Sequence, residues 1–315
     1  MMHRKLYKIK VYVGGYYDLI RSSILGNREL EACRHFFKSL APDIQEEVKA
    51  RVSYYNRLTN PFSSSGLPFE TGCFKKGKST SYHIDFKPLI NCFPPGLRFA
   101  VLFGDICYVP EQPSFIKSRP VSQDPDNANS VLLKLNRARH YYIFPDKVPF
   151  RDKRKTAVWR GSSHKAKRLD FVKALYDKPW CDVGDVHKKS LGKPYHKEFM
   201  SVPRQLEHKY VLSVEGNDVA SNLKWIMASN SLCMMCRPEY ETWFMEGLLI
   251  PGVHYVELEP DYSDLREKIS YYDRYPEKAE QIISQAKAHS ARFSNKALER
   301  LISLLVMQKY FDLSS

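Results

Sequence analysis

Residues 155–175 read KTAVWRGSSHKAKRLDFVKAL, and they contain the most informative pattern in the chain. A short apolar run ends in WRGS at 159–162, and a basic segment with helical periodicity follows it. The apolar run predicts a buried strand, whereas Leu169, Val172 and Leu175 have the spacing of one helix face. A glycine and two hydroxyl groups stand at the turn, where a helix N-terminus presents free N–H groups to anions. The stretch therefore predicts an anion-binding junction between a strand and a helix.

The same alternation continues through the second half of the chain. Strands are predicted in KYVLSVEG, SLCMMC and VHYVELE, and helices in SNLKWIMASN (with Ser221 as N-cap), YETWFMEGLLI, YSDLREKISYY and the C-terminal region. Strand–helix alternation favours a parallel sheet covered by helices. In the first half, residues 1–60 are predicted to be mainly helical and residues 61–82 to form a loop. A strand is predicted from Arg98 to Phe103. The fold class is therefore predicted to be α/β.

The composition is that of a globular protein with an excess of positive charge. Hydrophobic residues make up 43% of the chain, and 49 Lys and Arg against 35 Asp and Glu give a formal net charge of +14. Such an excess favours anionic partners: nucleic acid, lipid headgroups or phosphorylated small molecules. No stretch reaches the roughly 18 apolar residues of a membrane-spanning helix, and the N-terminus lacks the apolar run of a signal peptide. We therefore expect a cytoplasmic protein.

The cysteines do not predict a disulfide framework or a metal site. There are seven, an odd number, and most stand alone among apolar neighbours, which is typical of reduced, buried thiols. Cys233 and Cys236 form a CxxC pair, but they lie in a predicted buried strand without a second CxxC or a spaced histidine pair. We interpret this pair as structural and predict no bound metal.

Polar side chains follow several predicted strands, at the edge of the sheet where ligands bind in open α/β folds. The candidates are Arg160, Gly161, Ser162 and Arg168 at the first junction, Gly216, Ser221 and Lys224 at the second, and Arg237, Glu239 and Glu241 at the third. The basic groups suit a diphosphate, and a carboxylate suits the paired hydroxyls of a ribose or sugar. Each junction could equally be an ordinary loop on a solvated basic face, because GxGxxG and GxxxxGK[ST] signatures are absent.

For a general base, the candidate is Asp105, which follows Gly104 at the end of the predicted strand from Arg98 to Phe103. A carboxylate at a strand end can accept a proton from a substrate hydroxyl. Aspartate after glycine is also common as an N-cap or turn residue, so that alternative stays open.

Several segments in a fixed order then point to a family. They are GDICYVP, FPDKVPFRDKRKTAVWRGSSHKAKR, KYVLSVEGNDVASNLKWIMASNSLCMM, YETWFMEGLLIPGVHYVEL and YSDLREKISYY, between about residues 98 and 290. In order and spacing, this set resembles glycosyltransferase family 90. The family includes protein O-glucosyltransferases, capsule xylosyltransferases and bacterial lipopolysaccharide-type glycosyltransferases.

The resemblance implies a GT-B fold, with two Rossmann-like domains facing across a cleft. It divides the chain into an acceptor-side domain (1–148), a nucleotide-sugar-binding domain (149–290) and a C-terminal helix (291–315) that packs back on the first domain. It also implies transfer of a hexose or pentose from a UDP-sugar, with inversion and without a metal or other cofactor. By position, Asp105 matches the family's catalytic aspartate, and the first two junctions match the donor-side motifs. Animal members carry an arginine where this chain has Asn222.

Animal members of the family work in the secretory pathway, with a signal peptide and disulfides. This chain shows neither pattern, so within the family it resembles a bacterial-type member. Such an enzyme is expected to glycosylate lipopolysaccharide core or another surface glycan at the inner face of the cytoplasmic membrane, whose anionic lipids suit the positive charge. The basic N-terminal segment, with Tyr7, Tyr12, Tyr16 and Tyr17, could dock there, or these side chains could simply be solvated. Alternatives are a protein or capsule-polymer acceptor. A basic nucleic-acid-binding protein is a further alternative, although no nucleic-acid motif supports it.

Overall fold

The computed structural model describes residues 2–75 and 80–315, and the chain divides into two units. The parallel-sheet unit comprises His140–Glu239 and Phe244–Phe293. The terminal unit comprises Met2–Arg139, Tyr240–Trp243 and Ser294–Ser315. The terminal unit thus contains residues from both ends of the chain.

The elements are numbered here in chain order. The helices are α1 (Met2–Ser39), α2 (Pro42–Tyr55), α3 (Thr80–Ile90), α4 (Arg137–His140), α5 (Ala166–Leu175), α6 (Val202–Gln205), α7 (Leu223–Met227), α8 (Leu265–Arg274), α9 (Pro276–Ala291) and α10 (Lys296–Leu313). The strands are β1 (Phe69–Glu70), β2 (Arg98–Val101), β3 (Ser114–Ile116), β4 (Ser118–Pro120), β5 (Ser130–Leu132), β6 (Arg154–Gly161), β7 (Cys181–Asp185), β8 (His208–Leu212), β9 (Leu232–Met235), β10 (Tyr240–Thr242) and β11 (Val256–Glu257).

The parallel-sheet unit is built on five strands in the order β11-β9-β8-β6-β7, and every neighbouring pair is parallel. All five residues of β8 are buried, as expected for a strand covered on both faces. Trp159 of β6 packs edge-on against Phe171 of α5, with 5.3 Å between ring centroids. Because all strands run the same way, their carboxyl ends meet at one edge of the sheet.

The terminal unit contains a smaller sheet in the order β1-β2-β3-β5, and β4 pairs separately with β10. Strands β2, β3 and β5 are parallel, whereas β1 and β10 pair antiparallel with their neighbours. Aromatic side chains form the core: the ring centroid of Phe115 lies 4.3 Å from that of Tyr310 on α10 and 5.8 Å from that of Phe86 on α3. The last helix thus packs against the sheet of the terminal unit.

The predicted α/β class is confirmed, but two local predictions are wrong. The segment YETWFMEGLLI is not a helix: Tyr240–Thr242 forms β10, and Glu246–Leu248 forms a single 3-10 turn after Met245, which has a left-handed backbone. Pairing of β10 with β4 overrides the helical pattern. Ser221 is not the N-cap of α7, because Asn222 holds that position.

Two further predictions concern the loops and the membrane. The loop predicted over residues 61–82 is wrong at two places, because Phe69–Glu70 forms β1 and α3 begins at Thr80. Residues 76–79 of this loop lie outside the described residues. Among the described residues, no helix is both long and apolar enough to cross a membrane.

Candidate functional site

A small cleft, open to solvent, lies at the carboxyl edge of the five-stranded sheet. Residues after β8 and β9 form its walls, with contributions from α5 and from two loops. The lining residues are Lys167, Ser213, Val214, Glu215, Val219, Ala220, Leu223, Met235, Cys236, Arg237, Pro238, Glu246 and Tyr262. The cleft therefore lies where open α/β sheets bind ligands.

Arg168 joins two of the predicted junctions at this edge. From α5, its guanidinium donates hydrogen bonds to the carbonyls of Val214 and Glu215 at 2.8–3.2 Å, and to that of Ser162 at 3.4 Å. A Cβ on Gly216 would lie 3.1 Å from the Arg168 Cζ, so a larger residue here would crowd the guanidinium. Arg168 therefore fixes the loop after β6 against the loop after β8.

Arg160, at the end of β6, points along the sheet to β7. Its guanidinium donates to the Asp182 carbonyl and the Asp182 carboxylate, both at 2.6 Å, and its side chain is only 6% exposed. Lys197 Nζ approaches the same carboxylate oxygen at 2.8 Å. Although partial burial opposes ionisation, these hydrogen bonds hold the pKa of Asp182 below its ordinary value. Arg160 Nε has no hydrogen-bond partner among the described residues.

Asp185, the last residue of β7, anchors the turn after β6. Its carboxylate accepts hydrogen bonds from Ser163 Oγ at 2.6 Å and from the backbone N–H groups of Ser163 and His187. Burial works against the charged form, but the hydrogen bonds from Ser163 and His187 prevail and lower the pKa of Asp185. Ser162 turns the other way, and its Oγ lies 2.9 Å from His164 Nδ1.

Lys224 on α7 forms a buried ion pair. Its Nζ lies 2.5 Å from Glu246 Oε1, and each of the two side chains is about 1% exposed. The ammonium also lies 5.4 Å from the ring centroid of Phe244 and 5.9 Å from that of Tyr141. Because Glu246 lines the cleft, this pair joins α7 to one of its walls.

The mouth of the cleft carries charges of both signs. Lys167 Nζ lies 2.8 Å from Glu239 Oε1 and 3.5 Å from Glu215 Oε2. Burial works against the charged lysine, but the two carboxylates outweigh it and raise the pKa of Lys167. Tyr262, on the cleft wall, has a φ of 61°, a backbone conformation that non-glycine residues rarely adopt. Such strain is common at ligand-binding sites.

Asp105 lies in the terminal unit, after β2. Gly104 has a φ of 132°, which glycine adopts readily, and this turn redirects the chain before the aspartate. The Asp105 carboxylate lies 2.5 Å from the buried Lys117 Nζ and 3.9 Å from an Arg139 nitrogen. Its side chain is 20% exposed, so the carboxylate is held in place and still reaches solvent.

Glu241 also belongs to the terminal unit, on β10, where it is fully buried. Its carboxylate accepts hydrogen bonds from Arg119 Nε at 2.7 Å, from Arg57 at 3.2 Å and from the Tyr54 hydroxyl. Burial, together with the Glu241 charge, raises the pKa of Tyr54, so the phenol stays protonated and donates. Glu241 therefore holds β10, β4 and the end of α2 together.

Comparison with known proteins settles the family. The sequence profile of Glycosyl transferase family 90 matches residues 143–307, about half of the chain. The O-glucosyltransferase LpsA of Dichelobacter nodosus is 46% identical over 312 residues, which cover 99% of this chain and 97% of that protein. The chain belongs to glycosyltransferase family 90. It is therefore an enzyme that transfers a sugar.

More distant relatives of this family 90 enzyme occur in animals. The protein O-glucosyltransferase 2 of Danio rerio is 30% identical over 131 residues, which cover 39% of this chain and 26% of that protein. The human protein O-glucosyltransferase 3 is 26% identical over 173 residues, covering 52% of this chain and 33% of that protein. The similarity to the animal proteins thus covers only a part of each.

The structure brings some of the predicted site residues of this glycosyltransferase together. Ser162, Arg168 and Gly216 meet at the carboxyl edge of the sheet. Gly161 lies beside them as the last residue of β6. Ser221 stands just before α7, and Lys224 on that helix forms an ion pair with Glu246, which lines the cleft. Arg160 points to Asp182 instead, whereas Asp105 and Glu241 belong to the terminal unit. The assigned roles of all nine stay predictions.

The sequence reasoning missed several residues of the cleft: Lys167, Glu215, Glu246 and Tyr262. Lys167 stands next to the predicted Arg168 and could have been included with it. Glu246 lies in the segment that was predicted to be a helix, and its approach to Lys224 depends on the 3-10 turn that replaces this helix. Asn222, in place of the family's arginine, donates to the Leu212 carbonyl and contacts Ser213.

Proposed function

We propose that this glycosyltransferase moves glucose from UDP-glucose to a hydroxyl group of a surface glycan, with lipopolysaccharide core as the acceptor. One observation carries the choice of glucose: the 46% identity to an O-glucosyltransferase extends over 97% of that protein. Similarity over a whole chain includes the residues that bind the sugar donor and those that bind the acceptor. A match to one motif would include only one of these two sets.

The cleft of the parallel-sheet unit is the proposed binding site for the UDP moiety. Lys167 and Arg237 at its mouth supply positive charge for a diphosphate, and Glu215 and Glu239 supply acceptors for ribose hydroxyls. In this proposal Arg168 and Gly216 set the shape of the loops around the diphosphate. In this proposal Arg160 affects UDP binding indirectly, by holding Asp182, because its guanidinium already donates to that residue.

The proposed chemistry is a single displacement with inversion. The Asp105 carboxylate removes the proton from the acceptor hydroxyl while that oxygen forms a bond to the anomeric carbon of the sugar. The bond from the anomeric carbon to the phosphate oxygen breaks at the same time, and UDP leaves with the electron pair. Positive side chains stabilise the charge that develops on the diphosphate. We propose that no metal ion takes part.

The proposed architecture is GT-B, as the family resemblance implies. It assigns an acceptor-side domain to residues 1–148 and a nucleotide-sugar domain to residues 149–290, and it groups residues 291–315 with the first. The proposed location is the cytoplasmic face of the inner membrane, where the anionic leaflet would attract a chain with a net charge of +14.

A second acceptor class has support from the comparisons. The animal relatives are protein O-glucosyltransferases, so transfer to a serine or threonine hydroxyl of a protein is the rival to lipopolysaccharide. Mass spectrometry of lipopolysaccharide from a strain that lacks the gene separates the two. We expect a core that is lighter by one hexose and is restored by the wild-type gene. An unchanged core, with loss of hexose from a protein fraction, would favour the protein acceptor.

A further inference from the structure

The first part of helix α1 exposes its apolar side. Seven apolar or aromatic side chains are between 46% and 77% exposed: Leu6, Ile9, Val13, Tyr16, Tyr17, Ile20 and Ile24. At 100° per residue, all seven fall within an arc of about 100° on one side of the helix. The stripe ends where the helix breaks at Gly26, which has a non-helical backbone.

The opposite side of α1 packs against the rest of the terminal unit. Gly15 is buried, and a Cβ there would lie 3.0 Å from Ile84 on α3. Asn91 donates a hydrogen bond to Ser22, and the Tyr7 hydroxyl donates to the Arg137 carbonyl. Tyr7 thus faces inward. One side of α1 is anchored by these contacts, and the exposed stripe lies on the other side.

The charges beside the stripe are almost all positive. Residues 4–25 contain Arg4, Lys5, Lys8, Lys10 and Arg21 against a single acid, Asp18. On the helical wheel, Lys10 and Arg21 flank one side of the stripe and Lys5 the other. A coiled-coil partner copy would need opposite charges at these flanking positions, and two copies of this helix would place positive charges against each other. The flanks therefore disfavour a second copy and favour an anionic surface.

We infer that the exposed stripe of α1 is a membrane-docking face that lies in the interface of a bilayer containing anionic phospholipid. Amphipathic helices with basic flanks and a broad apolar face bind in this way. Tyr16 and Tyr17 would sit at the headgroup level, where aromatic side chains are enriched. The inference deepens the proposed location at an anionic leaflet and rests on that part of the proposed function, but it is independent of the sugar and of the acceptor.

Vesicle co-sedimentation tests the inference with the full chain. We expect the wild type to bind vesicles of phosphatidylcholine with phosphatidylglycerol at least about tenfold more tightly than vesicles of phosphatidylcholine alone. Ile9→Glu and Ile20→Glu should each weaken this binding by at least about tenfold. Ile250→Glu is the matched control, because Ile250 is 54% exposed and lies on a loop of the other unit. This control should bind like the wild type.

A second pair of variants tests the positive flanks. Lys10→Glu with Arg21→Glu should abolish the preference for phosphatidylglycerol, whereas Lys173→Glu, at an exposed position on α5, should leave it unchanged. Consumption of UDP-glucose in the absence of vesicles should be the same for all the α1 variants. That assay separates a failure of docking from a failure of the proposed reaction.

Three results would overturn the inference. The wild type could fail to bind the phosphatidylglycerol vesicles, or Ile9→Glu and Ile20→Glu could bind them as well as the wild type does. Sedimentation velocity could also show a dimer that Ile20→Glu converts to a monomer, in which case the stripe is an interface between two copies.

Discussion

Replacing Lys224 by methionine should destabilise the parallel-sheet unit strongly. The Lys224 ammonium and the Glu246 carboxylate lie 2.5 Å apart, and both side chains are about 1% exposed. Removing one partner of a buried pair leaves the other charge in a poor environment and costs about 3–5 kcal/mol. For a unit of this size, each kcal/mol lowers Tm by about 2–4 °C. We therefore expect Lys224→Met to lower the melting temperature by about 10 °C.

The assay is thermal unfolding followed by circular dichroism. Lys173→Met serves as the control, because it removes a lysine from an exposed position of α5 and should change Tm by less than about 2 °C. The double variant Lys224→Met/Glu246→Gln should recover at least half of the loss, because the buried carboxylate is then gone as well. A single variant as stable as the wild type, or a double variant no better than the single, would show that the buried pair does not act in this way.

Three further outcomes are expected. Asp105→Asn should lower the transfer rate by about 10²–10⁴-fold and leave UDP affinity, measured by calorimetry, unchanged; wild-type turnover would remove the base assignment. Arg160→Ala should weaken UDP binding, and Asp182→Asn should do the same, because the two side chains hold each other; an effect of the arginine change alone would indicate direct phosphate contact. Burial lowers the pKa of His289 from 6.5 to about 4 in the folded protein. Between these pH values the unfolded state therefore binds a proton on His289 that the folded state does not bind. Stability should fall by about 3 kcal/mol as pH decreases from about 6.5 to 4, and denaturant titrations of His289→Gln should lack this loss.

Local sequence patterns were sufficient to predict an element where a single segment of the chain contains the features that form it. Strand β6 and helix α5 follow from a continuous apolar run, a glycine and a helical face within one stretch of the chain. Strand β7 has the sequence CDVGD, and aspartate and glycine are both depleted in strands. The direction of Arg160 depends on Asp182 in that strand, so the local pattern could not predict it.

Distant pairing explains the other differences. The local sequence suggests that Glu241 binds a sugar hydroxyl, but its carboxylate binds Arg119, which lies 122 positions away in the chain. The helix predicted over YETWFMEGLLI is lost because β10 pairs with β4, an equally distant segment. The exposed stripe of α1 depends on which face of the helix is buried, and the sequence alone does not say which face that is.

The proposed reaction is transfer of glucose from UDP-glucose. Its most direct test is the release of UDP by the purified enzyme, measured with UDP-glucose, UDP-galactose and UDP-xylose in turn, with lipopolysaccharide from the deletion strain as acceptor. We predict UDP release with UDP-glucose at a rate at least about tenfold above that with the other two donors, together with an acceptor that is heavier by one hexose. Equal or greater release with another donor, or no hexose on the acceptor, would contradict it.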